Sequence, residues 1–309
     1  MLVCGAACQF ESRFDTNMLK TADVIIFHDP HCVEYSATGH PERPARITRT
    51  VPLLKDRHPR WDWREPRPAT NEELLRAHSR EHIELVKNPG SDFDLDTPAY
   101  PKIYDFALKS AGAGIETART ALAGKRAFAL MRPPGHHATS DRAMGFCYFS
   151  NVAIAALDAL ENGADRVAIW DFDAHHGNGT EAIVAHNERI RFASIHQFPA
   201  YPGTGAKSFA NVDNYPVAPQ TPRKEHVDVC KRALDNLVNF KPDLILVSAG
   251  FDADARDPLV QMTLEREDFA TFGKWLRKTD IPVGAVLEGG YSEDLPELVD
   301  GFLTSWAGE

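Results

Sequence analysis

The sequence predicts a single-domain α/β fold in which helices flank a mostly parallel sheet. Three observations lead to this prediction: short apolar runs, longer helical segments between them, and the lack of a linker rich in proline, glycine or serine. Continuous apolar runs are typical of strands buried on both faces, and their alternation with helices indicates βαβ units. A chain of 309 residues is long enough for one large domain of this kind.

Six apolar runs are predicted to be the buried strands of this sheet. In chain order they are 24–27, 127–130, 167–170, 192–195, 244–247 and 283–287. The predicted helices lie at about 102–123, 151–162, 179–188, 224–239 and 265–278. The segment from Asn88 to Pro101 is rich in proline, glycine and aspartate, which indicates a surface loop.

The segment from Ser110 to Gly114 alternates small residues and falls inside the first predicted helix. It lacks the Lys-Ser/Thr pair of a phosphate-binding loop, and no strand directly precedes it. We therefore expect a helix that packs closely against a neighbour.

The composition is that of an ordinary globular protein with an acidic surface. Hydrophobic residues make up 43% of the chain, and the net charge is −10. A nucleic-acid-binding surface would be basic, so no direct nucleic-acid binding is expected. No apolar run reaches the length of a membrane span, and the five cysteines show no zinc-ribbon spacing. We therefore expect a cytoplasmic protein with reduced thiols and no membrane association.

The first 20 residues show no clear period and are predicted to form a loose N-terminal arm, 1–20, before a catalytic domain at 21–309. A secretory signal peptide would need a longer apolar core, and Arg13 and Asp15 interrupt this segment. Met18 is an alternative natural start.

Polar side chains follow the predicted strands at the points where the strands end. These polar segments are 132–137, 171–176, 196, 250–252 and 288–291. The carboxyl ends of parallel strands share one edge of a sheet, and open α/β sheets bind ligands there. The separate segments are therefore predicted to converge on one cleft.

One of these segments alternates Asp171, Asp173 and His175, which would point the same way in an extended chain. Asp252 follows another strand and supplies a further oxygen. Acidic groups are costly to cluster without a cation, so we predict that Asp173, His175 and Asp252 hold a divalent metal. Three N and O ligands are typical of catalytic zinc, and Fe²⁺ is compatible with them. Asp171 could be a further ligand, but a hydrogen bond to a catalytic histidine is its preferred role.

His136 and His137 lie in another segment, in a loop stiffened by two prolines and a glycine. Imidazoles beside a metal can transfer protons near neutral pH, and Asp171 and Asn178 are available to fix their tautomers. Tyr291 follows two glycines, so its phenol is a predicted hydrogen-bond donor to an oxyanion. The alternatives are structural histidines bonded to backbone carbonyls and a core tyrosine.

Residues 24 to 303 resemble the histone deacetylase family. The motifs that carry the resemblance, in the family's order, are GHPERP (39–44), RPPGHHA (132–138), GFCYF (145–149), DFDAHHGNGT (171–180), YPGTG (201–205), AGFDA (249–253) and EGGY (288–291). Another branch of the family has Asp at position 178. With Asn178, this sequence resembles the class II-like branch, which includes many bacterial amidohydrolases. The resemblance implies a single-domain arginase/deacetylase fold around a mostly parallel eight-stranded sheet flanked by helices.

The resemblance supports the three metal ligands and implies roles for the other polar residues. His137 is implied as general base and then general acid, with Asn178 as its hydrogen-bond partner. His136 is implied as the electrostatic partner of His137, with Asp171 as its own hydrogen-bond partner. Tyr291 would polarise the acetyl carbonyl.

The resemblance also implies a substrate channel and a second ion. Phe146 and Tyr201 would flank an acyl-lysine channel, with Leu259 at its mouth, Asp96 at its rim on the substrate backbone, and Gly289 among the substrate-binding residues. A structural K⁺ is implied as well, held partly through backbone carbonyls. Its ligands would be Asp171, Asp173, His175, Ser194 and Ile195.

The implied reaction is zinc-dependent hydrolysis of an acetylated amine, first of all N-ε-acetyl-lysine, with release of acetate. An acetylpolyamine amidohydrolase is the nearest alternative. Its channel would favour an acidic gatekeeper where Leu259 is neutral, but Asp94 and Asp96 still suit a cationic amine. The expected partner is an acetylated protein, peptide or small amine, and a homo-oligomer is compatible with the sequence.

Two readings of another class are disfavoured. A non-catalytic acyl-lysine binding module would not need the complete metal set, both histidines and Tyr291. A two-metal phosphoesterase would lack dedicated ligands for its second metal.

Overall fold

The computed structural model describes residues 24–309. The predicted arm, the first residues of the predicted catalytic domain, and Cys4 and Cys8 lie outside this range. Eight strands form one sheet, and every neighbouring pair is parallel. The predicted α/β class and eight-stranded sheet are therefore confirmed.

All six predicted runs are strands of this sheet, with ends that differ by no more than a few residues. In chain order the strands are β1 (Val24–Phe27), β2 (Asp62–Arg64), β3 (Arg126–Ala129), β4 (Val167–Asp171), β5 (Ile190–Gln197), β6 (Val212–Val217), β7 (Leu244–Ala249) and β8 (Val283–Leu287). Their spatial order is β2-β1-β3-β8-β7-β4-β5-β6. The two strands that were not predicted, β2 and β6, are the two edges.

The five predicted helices are also present. In chain order the helices are α1 (Ala45–Thr48), α2 (Thr50–Arg57), α3 (Asn71–Leu75), α4 (Arg80–Lys87), α5 (Ile103–Leu122), α6 (Asn151–Glu161), α7 (Asn178–Val184), α8 (Arg223–Asn239), α9 (Arg266–Arg277) and α10 (Leu295–Ala307). Helix α7 ends before residue 188, the predicted end, and His186 just beyond it has a left-handed φ of 66°. No helix or strand lies between α4 and α5, as predicted for that loop.

Helix α5 packs closely against other backbone, as its small residues predicted. A Cβ added to Gly112 would lie 1.9 Å from the carbonyl oxygen of Arg67, and one added to Gly114 would lie 2.9 Å from that of Asn151, the first residue of α6. Only glycine fits at such distances.

Aromatic residues anchor the polar segments at the carboxyl edge of the sheet. Phe172 lies between Asp171 and Asp173, and its ring is 5.9 Å from that of Phe251, next to Asp252. Phe172 also packs on Phe302 of α10 at 5.8 Å. All three rings are buried, so the neighbouring carboxylates have a rigid support.

Among residues 24–309, no helix combines the length and the apolar character needed to cross a bilayer. Cys32, Cys147 and Cys230 are buried free thiols.

Candidate active site

The polar segments that follow β3, β4, β7 and β8 meet at the carboxyl edge of the sheet. His196 differs from its prediction because it lies within β5 and not after it. Its ring nitrogens contact Ser194 Oγ at 2.9 Å and the Gly205 carbonyl oxygen at 3.1 Å. The longer strand thus keeps this histidine in the sheet.

Asp173, His175 and Asp252 form a compact set of donors. Each offers one ligand atom, and these atoms lie within 4.8 Å of one another. His175 Nδ1 is 2.7 Å from Asp252 Oδ2 and 3.2 Å from Asp173 Oδ1. The other carboxylate oxygens accept backbone N–H groups, Asp173 Oδ2 from Gly289 and Asp252 Oδ1 from Ala174, both at 2.7 Å. The donor set is therefore held in place and suits a divalent cation.

The electrostatics of this set also favour a cation. Burial raises the pKa of Asp252, and the nearby charge of Asp173 raises it further. Burial lowers the pKa of His175, but the carboxylates of Asp252 and Asp173 outweigh this and hold that pKa well above its usual value. Positive charge between the two carboxylates is thus strongly stabilised.

The paired histidines have different partners. His136 Nδ1 lies 3.1 Å from Asp171 Oδ2, and His137 Nδ1 lies 2.7 Å from Asn178 Oδ1. The two rings are 4.0 Å apart between centroids. Because an amide oxygen only accepts hydrogen bonds, His137 carries its hydrogen on Nδ1 and keeps Nε2 as a proton acceptor.

The surroundings also shift the pKa values of the two histidines in opposite directions. Burial lowers the pKa of His137 well below its usual value, and His136 and His175 lower it further. Burial acts in the same direction on His136, but the carboxylates of Asp173 and Asp171 outweigh it and raise its pKa to about 10. The pair is therefore one imidazolium beside one neutral base.

Glu288 belongs to the predicted polar segment 288–291, but the sequence predicted no role for it. Its side chain is fully buried, and Oε2 accepts the N–H groups of Gly135 at 2.7 Å and His136 at 3.1 Å. Burial raises its pKa to about 7. It ties the loop after β8 to the loop after β3; an acidic residue at the end of a buried apolar run is the signal that indicates such a role.

Arg46, also not predicted, holds the Tyr291 turn. Its Nε donates to the Gly290 carbonyl oxygen at 2.8 Å, and its guanidinium lies 4.9 Å from the centre of the Tyr291 ring. No spacing rule indicates this role, because Gly290 lies 244 positions away in the chain.

A cleft of about 380 Å³ leads to these groups. Its walls are Pro41, Asp96, His137, Gly145, Phe146, His175, Tyr201, Leu259 and Tyr291. The predicted channel residues Asp96, Phe146, Tyr201 and Leu259 are thus together with a metal-site histidine, the neutral imidazole and the phenol. Phe146 has a left-handed φ of 70°, and its N–H donates to Thr97 Oγ1 at 3.1 Å. Such backbone strain is typical of functional sites.

Gly289 does not line the cleft with the other predicted substrate-binding residues. Its N–H donates to Asp173, and its carbonyl oxygen accepts from the Phe251 N–H at 3.1 Å. A Cβ at this position would lie 2.4 Å from Asp252 Oδ2. The structure therefore places Gly289 against the predicted metal ligands Asp173 and Asp252, with both of its backbone groups already bonded.

The residues predicted for K⁺ lie on β4, on β5 and in the segment that follows β4. Asp171 and Ser194 are register partners on β4 and β5, and Ile195 follows Ser194. Ser194 Oγ contacts His196 Nδ1 and the Gly177 N–H. Asp173 and His175 are shared with the divalent site.

This geometry agrees with a family relationship. A family model described as a histone deacetylase domain matches residues 40–304. The chain belongs to the histone deacetylase family.

The chain is similar over most of its length to proteins named as deacetylases and amidohydrolases. A probable deacetylase of Archaeoglobus fulgidus is 35% identical over 308 residues, which cover 92% of this chain and 86% of that protein. A histone deacetylase-like amidohydrolase of Pseudomonas aeruginosa is 36% identical over 281 residues, covering 84% of this chain and 74% of that protein. The crystal structure of an acetylpolyamine aminohydrolase from Burkholderia pseudomallei has a TM-score of 0.84 at 25% identity, covering 92% of this chain and 98% of that one.

Proposed function

We propose that this member of the family is a zinc-dependent deacetylase that hydrolyses the amide bond of acetylated amines, first of all N-ε-acetyl-lysine. The observation that carries the proposal is the meeting of the three-residue donor set with the His136–His137 pair at one cleft. Zn²⁺ suits two carboxylates and one imidazole with an open coordination position, and Fe²⁺ is compatible with the same ligands.

The side chains divide the reaction between them. A divalent cation bound here would polarise the acetyl carbonyl and lower the pKa of a water molecule. His137, neutral with Nε2 available, takes the proton from the attacking water and later gives it to the departing amine. Asn178 keeps that imidazole in the required tautomer, and the carboxylates of Asp173 and Asp171 keep His136 charged.

Tyr291 supplies a hydrogen bond to the oxygen that becomes negative. Burial raises the pKa of its phenol well above the usual value, so it keeps its proton at neutral pH. It lines the cleft beside His137 and His175. A donor already in place at the developing oxyanion lowers the barrier.

The cleft walls support a long, apolar acyl-amine chain. Phe146 and Tyr201 are proposed to flank the aliphatic part of the substrate, with Leu259 at the mouth and Asp96 on the substrate backbone. The Tyr201 ring stands perpendicular to that of His137 at 5.1 Å. The exposed, neutral Leu259 favours an acyl-lysine in a peptide.

An acetylpolyamine is the second candidate substrate. Asp96 lines the cleft, and after burial itself the charges of Asp94 and Asp96 raise the pKa of Tyr201. Negative charge at the mouth would attract a cationic amine. Relatives named acetylpolyamine amidohydrolase or aminohydrolase occur in Mycoplana ramosa and Burkholderia pseudomallei.

A structural K⁺ is also part of the proposal. Asp171 is buried and pairs with Ser194 of β5, which Ile195 follows, and Asp173 and His175 follow Asp171 on the same segment. Such an ion would fix the segment that carries two of the three zinc ligands.

The test is release of acetate by the zinc-loaded enzyme, with an acetyl-lysine peptide and N-acetylspermidine assayed in parallel and a chelator-treated control. We expect metal-dependent release, faster with the peptide. Faster release from acetylspermidine would assign the polyamine substrate. Binding of acetyl peptide without any release of acetate would refute the deacetylase proposal and favour a non-catalytic binding module.

A further inference from the structure

Asp257 connects the mouth of the cleft to the turn that carries Tyr291. Its side chain is only 6% exposed and does not line the cleft. Oδ2 accepts the Tyr291 N–H at 2.7 Å, and Oδ1 accepts the Leu259 N–H at 3.0 Å. One carboxylate thus holds a residue of the loop after β7 and a residue of the loop after β8.

The backbone of the Tyr291 turn is fixed from two sides. Arg46 Nε bonds to the Gly290 carbonyl oxygen at 2.8 Å, while Asp257 bonds to the next N–H along the chain. Gly290 itself has a φ of 118°, a conformation that side-chain-bearing residues rarely adopt. The phenol ring packs 5.8 Å from Phe146 and has Arg46 over its face. The direction of the phenol therefore depends on where these two backbone bonds hold the turn.

We propose that Asp257 is a positioning residue of the deacetylase: its carboxylate sets the place of Tyr291 at the substrate carbonyl and couples it to Leu259 at the mouth. This inference rests on the proposed function. Both partners of Asp257 are N–H donors, and a carboxylate can accept from both. An amide of the same shape cannot, because its NH₂ group would face one of the two donors.

The first test is the isosteric variant Asp257→Asn. A misplaced phenol lowers turnover more than substrate binding, so we expect kcat to fall by roughly 10- to 100-fold with a smaller change in KM. Measurements use the zinc-loaded full chain and an acetyl-lysine peptide.

The decisive comparison repeats the substitution in the Tyr291→Phe background. If Asp257 acts through the phenol, Asp257→Asn lowers kcat there by less than about twofold, because the interaction it serves is already absent. Equal factors in both backgrounds would overturn the positioning role. If Asp257→Asn does not fold, Asp257→Ser, whose hydroxyl still accepts a hydrogen bond, is taken through the same pair of backgrounds.

The matched control is Asp158→Asn. Asp158 is fully buried, bonds to Arg119 at 2.8 Å and does not line the cleft. This variant is expected to lower the melting temperature and leave kcat unchanged; an equal loss of kcat would reduce the Asp257 effect to general destabilisation. An inactive wild-type enzyme would refute the deacetylase proposal itself, whereas active enzyme with additive losses refutes only the role of Asp257.

Discussion

Burial and neighbouring charges decide which protonation state each histidine of the pair holds. Burial lowers the pKa of His137, and the nearby His136 and His175 lower it further, whereas the carboxylates of Asp173 and Asp171 outweigh burial at His136 and raise its pKa. Two nearby carboxylates thus keep one of the adjacent histidines a cation, while the other, bonded to a neutral amide, stays a base. The proposed proton transfer depends on this difference.

Replacing Tyr291 with phenylalanine isolates the oxyanion hydrogen bond. The variant keeps the ring that packs on Phe146 and under Arg46, so we expect an unchanged melting temperature. We expect kcat to fall about 10²–10³-fold, the loss typical of one oxyanion donor. Steady-state kinetics on an acetyl-lysine peptide measure it.

The control for this variant is Tyr215→Phe, which removes a half-exposed hydroxyl bonded to Asn236 Nδ2 at 2.7 Å. It should turn over like wild type. Near-normal turnover by the Tyr291 variant would remove the phenol from the mechanism.

The side chains that local motifs display could be predicted from the sequence, whereas those that hold the backbone could not. Asp173, His175 and Asp252 are recognisable by residue type and by their place after apolar runs. Glu288 accepts the Gly135 N–H, 153 positions away, and Asp257 accepts the Tyr291 N–H, 34 positions away. Such partners are determined by tertiary structure, which periodicity does not encode.

The strands show the same division. The six inner strands could be predicted because both faces are covered and nearly every residue is buried. Strand β2 is only three residues long and largely exposed, and β6 contains Pro216 and alternates buried with more exposed residues. Edge strands tolerate proline and polar residues, so they lack the apolar run by which inner strands are recognised.

Gly112 tests how tightly helix α5 is packed. Alanine favours a helix by about 1 kcal/mol over glycine, but its methyl group would lie 1.9 Å from the Arg67 carbonyl oxygen. We expect Gly112→Ala to lower the free energy of unfolding by about 1–3 kcal/mol, the usual cost of overpacking. Urea unfolding measures it.

Gly90→Ala is the matched control, since nothing lies within 4 Å of a Cβ at that exposed position. Its stability should be close to that of wild type. A Gly112 variant as stable as this control would contradict the close packing.

The stability of the folded chain should decrease in mild acid. His226 is buried, its Nδ1 has no partner among residues 24–309, and burial lowers its pKa to about 4. In the unfolded chain this pKa is about 6.5, so the unfolded state binds the proton first. Stability is therefore retained above about pH 6.5 and lost as the pH falls from there toward 4. His78 and His196, each with a pKa lowered to about 3 by burial first, act in the same direction.

The variant His226→Leu removes one of these groups. Between pH 7.5 and 5.0, we expect it to lose less unfolding free energy than wild type, by about 2 kcal/mol. Chemical unfolding at the two pH values measures the difference. An identical pH dependence in both proteins would show that His226 does not titrate in this way.

The site is assembled from loops after four different strands, so one cation would join parts of the chain that are distant in sequence. The deciding measurement is acetate release from an acetyl-lysine peptide by chelator-stripped enzyme while Zn²⁺ is added in steps. We predict that activity returns in proportion to the ion and levels off at about one equivalent per chain, and that a folded Asp252→Asn variant stays inactive over the same range. Full activity in the stripped enzyme, or equal reactivation of the Asp252 variant, would contradict catalysis at a metal held by Asp173, His175 and Asp252.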